Sequence, residues 1–181
     1  MTVDFPNKHF LINGEWVCSN TEIDLINPST GDVIAQVSEA NNEHVNDAVG
    51  VAKDTLENTW KNITARERST LLSTLGRLIE ENYDVLASLE ATDVGKPLRQ
   101  AQADVKALAR YMEFYAGAAD KLHGDTIPYL KDYTVYTLRE PHGVCAHIIP
   151  WNYPMQIIGR SVGAALATGN TSLLKPAEEA C

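Results

Sequence analysis

The sequence predicts an α/β protein: a small antiparallel arm, then a bank of helices, then the first βαβ unit of a parallel sheet. Two observations carry that prediction. Apolar residues recur at helical spacing through four successive stretches between residues 41 and 117. Beyond residue 130 the period changes, and two nearly all-apolar strand segments flank one further helix. The composition is ordinary for a globular chain, with 181 residues, 44% hydrophobic and 22% charged. Fifteen Lys+Arg stand against 24 Asp+Glu, a formal net charge of −9, and the cations are scattered. That balance argues against a nucleic-acid partner, whose phosphates need clustered Lys and Arg. No stretch reaches the roughly 20 apolar residues of a membrane span; the longest candidate, 155–167, is interrupted by Arg160. The opening Met1-Thr-Val-Asp-Phe-Pro-Asn-Lys has an early acid and no apolar core, so it does not read as a signal peptide. Cys18, Cys145 and Cys181 have no metal-ligand spacing and are too few for a disulfide framework. The expectation is a soluble cytoplasmic protein with no metal site.

Phe10-Leu-Ile-Asn-Gly-Glu-Trp-Val17 reads as a hairpin around Asn13-Gly14, a pair that tolerates positive φ. A second ribbon joins a strand ending at Asn27-Pro28, a turn closed by Gly31 and a strand over 33–37. Of the four helices, the first carries Val45, Ala48, Val49, Ala52 and Leu56, with Asn41 placed as its cap. The second opens on a capping box at Thr64-Ala-Arg-Glu67 and presents Leu71, Leu72, Leu75, Leu78 and Ile79. A third, about 83–92, stops at Gly95 with Pro97 beyond. The fourth runs from about Pro97 to Gly117 with Leu98, Ala101, Val105, Leu108, Met112 and Tyr115 on one face. Packing is the main role these helices suggest.

A loop is expected over 124–131, then an exposed or edge strand over 133–139. Gly143 to Ile149 reads as a strand covered on both faces. Pro150-Trp-Asn-Tyr-Pro154 is a loop, 155–167 a helix ending at Gly169-Asn170, and Thr171 to Lys175 a second buried strand. Pro176-Ala-Glu-Glu is suited to start another helix. Two parallel strands alone leave Val144, Ile148, Leu173 and Leu174 short of partners, so the sequence reads as the front part of a larger protein.

Open α/β sheets bind ligands at the carboxyl ends of their strands. Asn152 falls there, and an amide held between two prolines could aim its NH₂ at a developing oxyanion. It could equally cap the following helix. Lys175 and Glu178 could converge on a polyol, as carboxylates at strand ends do with ribose hydroxyls; Glu178 could equally be a helix-start signal. Gly159, Gly163 and Gly169 do not form G-x-G-x-x-G, and close helix packing is the expected role of the first two. Cys145 reads as a small core residue and His147 as a packed or hydrogen-bonded one.

At Ile148-Ile-Pro-Trp-Asn-Tyr-Pro154, Gly169-Asn170 and Lys175-Pro-Ala-Glu178 the sequence closely resembles the NAD(P)-dependent aldehyde dehydrogenase superfamily. The likeness spans nearly the whole chain, including Phe10 to Trp16, Ile26-Asn-Pro-Ser-Thr-Gly31, Asp93-Val-Gly-Lys-Pro97 and Arg139-Glu-Pro-His-Gly143. It implies the N-terminal part of that fold, divided into an arm (1–40), a helical part of the cofactor domain (41–123), an oligomerisation strand segment (124–142) and the start of a Rossmann-like NAD-binding sheet (143–181). By the resemblance Asn152 is the side-chain donor of the oxyanion hole. Ile148, Ile149, Pro150 and Trp151, with Asn152, line the dinucleotide, partly through backbone atoms, while Lys175 and Glu178 bind the adenosine ribose. A carboxylate at Glu178 would repel a 2′-phosphate, so NAD is expected rather than NADP. The full-length form would be a homodimer or homotetramer acting on a small-molecule aldehyde. The family often holds a monovalent cation near the stretch matching Leu25-Ile26 and Asp93.

The sequence departs from the family pattern in two respects. The family's nucleophilic cysteine, its general-base glutamate and its second glycine-bearing cofactor turn match nothing here, and none of the three cysteines occupies the nucleophile's place. Many members also carry a lysine nine residues after the oxyanion asparagine, where this sequence has Ser161 preceded by Arg160. The chain alone is therefore expected to be inactive. A non-catalytic truncated homologue acting as an interaction partner is the alternative.

Overall fold

A computed structural model describes residues 9–181; the first eight residues, read above as lacking a secretion signal, lie outside them. Strands β1 (Phe10–Ile12) and β2 (Glu15–Val17) form the expected hairpin. Asn13 and Gly14 take φ of +54° and +77°, the left-handed pair that a type I′ turn requires. Strands β3 (Glu22–Ile26) and β4 (Val33–Ser38) pair antiparallel, with Leu25 opposite Ala35 and both buried. Their turn is closed by Asn27, whose carbonyl accepts from the Gly31 N–H at 2.8 Å and whose side chain accepts from the Ser29 N–H at 2.9 Å.

Helix α1 (Asn42–Asn58) starts where Asn41 Oδ1 accepts from the N–H groups of Glu43 and His44, at 2.9 and 3.0 Å. Helix α2 (Ala65–Glu81) starts on the predicted box: Thr64 accepts from the Glu67 N–H, and Glu67 accepts from the Thr64 N–H at 2.8 Å. The Thr64 hydroxyl, which also donates to Glu67 Oε2 at 2.7 Å, and then the Thr64 N–H hold the Glu67 carboxyl below the usual carboxylate range. Helix α3 (Tyr83–Val94) ends at Gly95, whose φ of +73° only glycine takes freely. A Cβ there would stand 2.4 Å from Pro28 Cγ, so the same glycine lets the arm close on the helix end.

Helix α4 (Leu98–Ala118) is the centre of the core. Its Ala101, Val105, Leu108, Ala109, Met112 and Ala116 are all buried against Leu72 and Ile79 of α2, Ala87 of α3 and Ala167 of the helix that follows the first parallel strand. Burying a side chain of the size of Val105 or Met112 contributes about 1.5–3 kcal/mol. The apolar stripe read on α2 is wider than its buried face: Leu71, Leu75 and Leu78 are exposed, because α4 covers only the Leu72–Gly76–Ile79 line. Leu98, at the exposed start of α4, likewise stays outside the core.

The segment expected to be a loop contains β5 (Thr126–Ile127), and the strand expected over 133–139 contracts to β6 (Val135–Tyr136), its antiparallel partner. The pairing is completed by Thr137, which donates its N–H to the Asp125 carbonyl at 2.9 Å and accepts from the Asp125 N–H at 2.7 Å. Local β propensity marked one strand of the ribbon; the other is made by its partner.

The βαβ unit is as predicted: β7 (Val144–Ile148), α5 (Pro154–Ala167) and β8 (Thr171–Lys175), with the strands parallel and in register from Val144↔Thr171 to Ile148↔Lys175. Gly159 and Gly163 seat α5 on α4: a Cβ at either would lie 2.9 Å from the ring of Tyr111 or Tyr115 respectively. Buried Asn170 accepts from the Gly143 N–H at 2.9 Å and donates to the Ala165 carbonyl, joining the end of α5 to the start of β7. Arg68 of α2 donates to the Ala167 carbonyl at 3.1 Å, and Thr171 donates to the Ala52 carbonyl of α1 at 3.0 Å.

Two expectations are corrected here. Strand β7 is not covered on both faces, since Ala146 and Ile148 are exposed, the latter at 79%. The partner shortage anticipated for Ile148 and Leu174 is what the structure shows, with Val144 and Leu173 half-buried. Residues 176–180 form a tight turn rather than a helix start: Ala180 bridges to Ala177 and is buried.

Candidate active site

The parallel register decides what meets at the carboxyl ends of the strands. Ile148 pairs with Lys175, and the Ile149 N–H donates to the Lys175 carbonyl at 2.9 Å. The loop leaving β7 (residues 149–153) and the turn leaving β8 (residues 176–180) therefore emerge side by side. Asn152 is exposed on the first, and Lys175 and Glu178 are exposed at the tip of β8 and on its turn. Ile148, Trp151 and Leu174 add an exposed apolar ledge to the same edge, and Pro150 is exposed beside Trp151. Ile149 differs: at 2% exposure its side chain faces the interior, and only its backbone reaches the edge.

Asn152 does not cap α5. The capping position is Tyr153, with no side-chain hydrogen bond, and Pro154 follows at the first turn. The N-terminus of α5 therefore has no side-chain cap and lies two residues after Asn152, an electrostatic setting that favours negative charge. Glu178 lies on the 176–180 turn and is exposed.

Beneath the loop lies a charged cluster that sequence reasoning missed. The Lys96 ammonium donates to Glu90 Oε1 at 2.6 Å, Asp104 Oδ2 at 2.7 Å and the Asn152 main-chain carbonyl at 3.1 Å, and sits 4.9 Å from the centre of the Tyr153 ring. Asp104 Oδ1 accepts from Gln100 at 3.0 Å and from Gln156, in the first turn of α5, at 2.7 Å. Burial works against the Lys96 ammonium, but Asp104 and Glu90 outweigh it and hold its pKa above the ordinary value. Burial also opposes the Asp104 charge, yet Lys96, Gln156 and Gln100 keep its carboxyl below the usual range. Glu90, whose Oε2 has no partner among the described residues, is pushed up by burial. One signal was available: Asp104 interrupts the buried stripe between Ala101 and Leu108, and a buried carboxylate requires a partner.

A cleft of about 340 Å³ lies between α3, the start of α5 and the 176–180 turn, with Asp93, Met155, Leu174 and Cys181 in its wall. Burial pushes the Asp93 carboxyl up to about 6, against a hydrogen bond from the Cys181 backbone N–H. Burial, with the Asp93 charge, pushes the Cys181 thiol up to about 11, the wrong direction for a nucleophile. Cys18 is exposed beyond the hairpin and Cys145 half-buried in β7; all three thiols are free. His147 bonds to Ser172 Oγ at 3.2 Å, a hydrogen-bonded strand residue as expected, and burial lowers its pKa. Ser161 donates its hydroxyl to the Ile157 carbonyl at 2.8 Å and is occupied within its own helix. Among the described residues no group of His, Cys, Asp and Glu has metal-binding geometry, and no helix is long and apolar enough to cross a membrane.

Comparison with known proteins agrees with this architecture. The profile of the aldehyde dehydrogenase family matches residues 16–181. The chain is 43% identical to aldehyde dehydrogenase family 2 member B4, mitochondrial, of Arabidopsis thaliana, over 98% of this chain and 34% of that protein. It superposes on an NAD⁺ complex of aldehyde dehydrogenase from Bacillus cereus with TM-score 0.93 and 43% identity, covering 96% of this chain and 36% of the other. A Burkholderia cenocepacia protein provisionally described as an aldehyde dehydrogenase gives TM-score 0.93 and 52% identity over 96% of this chain and 37% of that one. The chain thus spans about a third of the length of the relatives it matches. By fold and by sequence, the chain belongs to the aldehyde dehydrogenase family.

Proposed function

We propose that these residues form the oxyanion and dinucleotide half of a site for NAD-dependent oxidation of an aldehyde to a carboxylic acid through a cysteine thiohemiacetal. The observation that carries the reading is the Ile148↔Lys175 register, which sets the Asn152 loop beside the Lys175–Glu178 turn. The Asn152 carboxamide donates to the oxygen of the thiohemiacetal and acyl intermediates, with the open N-terminus of α5 adding to the positive field. The donor set fits a dinucleotide: an exposed ammonium, an exposed carboxylate and an apolar ledge adjoin on one edge. Lys175 and Glu178 bind the adenosine ribose hydroxyls, Ile148 and Trp151 flank the dinucleotide, and Ile149 and Pro150 contribute backbone. The Glu178 carboxylate disfavours a 2′-phosphate, which supports NAD over NADP. NAD, when bound, supplies the hydride acceptor.

Cys18 lies beyond the hairpin, Cys145 lies in β7 and the Cys181 thiol is pushed up to about 11, so these residues alone support no turnover. The division at residues 40, 123 and 142 belongs to the same proposal. So does a homodimer or homotetramer built through residues 124–142, where Tyr129, Leu130, Tyr133 and Leu138 are exposed. Cytoplasmic residence is in keeping with three free thiols.

The test begins with the purified chain, NAD and a panel of aldehydes, for which no NADH absorbance is expected; steady turnover would overturn the assignment of roles. Reading the coding frame past Cys181 should then reveal a cysteine-bearing continuation. In the extended protein Asn152→Ala should lower kcat by about a hundred- to a thousandfold, as loss of one oxyanion donor does. An unchanged kcat would remove Asn152 from the reaction.

A further inference from the structure

Beyond buried Ile149, the loop that carries Asn152 is not held by burial. Pro150, Trp151, Asn152 and Tyr153 are all exposed, so apolar packing does little to fix their backbone. What does hold them is polar and lies underneath. An ammonium has three N–H bonds, and those of Lys96 go to three different elements: Glu90 on α3, Asp104 on α4 and the carbonyl of Asn152. The ion pairs with Glu90 and Asp104 would balance the charge without the third bond. That third bond falls on the main chain of the very residue whose side chain matters, and it fixes the peptide plane next to the Asn152 Cα. The far end of the loop is tied to the same cluster, because Gln156 donates to Asp104 Oδ1 at 2.7 Å. Lys96 itself cannot drift, since its side chain is only 9% exposed and those of its two carboxylate partners 1% and 0%.

We propose that Lys96, clamped by Glu90 and Asp104 and assisted by Gln156, is a positioning residue that fixes the Asn152 backbone and so the direction of its carboxamide. The proposal rests on the reading of Asn152 as oxyanion donor, but its test does not. Lys96 touches neither substrate nor cofactor in this role; it acts through the loop. A preset donor is worth more than a mobile one, because no reorganisation is needed when charge develops.

The experiment is hydrogen exchange on the full chain, read at the two hydrogen-bonded amides that close the loop, Ile149 (to the Lys175 carbonyl) and Ile157 (to the Tyr153 carbonyl), with Leu72 to Ile79 of α2 as internal reference. Removing the lysine alone would strand two buried carboxylates. Glu90→Gln with Lys96→Met keeps the cluster's net charge and strands only one, Asp104, which retains its hydrogen bonds from Gln100 and Gln156. The loop amides should exchange about ten- to a hundredfold faster, as expected for loss of a charge-assisted hydrogen bond, while the α2 amides are unchanged. The Asn152 side-chain amide resonances should move toward those of a freely rotating asparagine. Gln156→Met carries no charge change and should accelerate the same amides by a smaller factor; it decides the matter should the double variant not fold. Unchanged loop exchange, or equal acceleration in the loop and α2, would overturn the proposal, the second by showing a merely structural role. The Asn152→Ala kinetics described above test the oxyanion assignment separately, so either idea can fail without the other.

Discussion

Gly159 offers a case in which two known effects oppose each other and the structure decides the sign. Gly→Ala inside a helix ordinarily stabilises by about 1 kcal/mol, through helix propensity. At Gly159, however, a Cβ would meet Tyr111 Cδ2 at 2.9 Å, Cβ at 3.0 Å and Cγ at 3.2 Å. The Tyr111 Cβ and Cγ are tied close to the α4 backbone, so a rotamer change cannot clear them and the helices must separate. Overpacking of this kind costs about 1–3 kcal/mol. Gly50 in α1 supplies the control, since a Cβ there meets nothing within 4 Å. Gly50→Ala should therefore raise stability by about 1 kcal/mol, while Gly159→Ala should leave it unchanged or lower it by up to about 2 kcal/mol. The gap between the two variants isolates the packing cost. Urea unfolding followed by circular dichroism, with the m-value checked for constancy, measures it. Equal stabilisation by both substitutions would refute the close α4–α5 contact, and with it the seating of the helix that carries the Asn152 loop.

Two further outcomes follow from local chemistry. Asn41→Ala leaves the Glu43 and His44 N–H groups without their acceptor and should cost about 1 kcal/mol, read as a lowered midpoint in thermal or urea unfolding; no change would mean that water replaces the cap. Asp93 has its pKa raised by burial from 3.8 to about 6, so its protonated form is favoured in the folded state. Its contribution to stability is full below 3.8 and is lost as pH rises through about 6, and Asp93→Asn should remove that downward component from the stability–pH curve. Identical curves for the two proteins would contradict the burial of that carboxyl.

What the sequence disclosed and what it concealed divide along a physical line. Capping boxes, the Asn13-Gly14 turn, the Gly95 stop and the βαβ unit are written in local residue chemistry, and each is found where it was expected. Gly159 and Gly163 were legible because two glycines four apart on one helix face suggest a close neighbour. Features set by a partner element were not. β5 exists because β6 pairs with it, the exposed half of the α2 stripe depends on how far α4 reaches, and the 176–180 turn is closed by the Ala177–Ala180 bridge. At the candidate site, Asn152, Lys175 and Glu178 stood out through position at strand ends. Lys96 did not, because its role arises from three acceptors that lie far apart in sequence, from Glu90 to Asn152.

The proposed dinucleotide site rests on one juxtaposition, that of the β7 and β8 tips along one edge. Titrating NAD into the isotopically labelled chain and following each backbone amide by NMR examines it directly. The shifts should concentrate in residues 148–152 and 175–178, with α2 silent and binding weak, since only part of the pocket is present. Shifts confined to other elements, or none in those two segments at millimolar NAD, would contradict it.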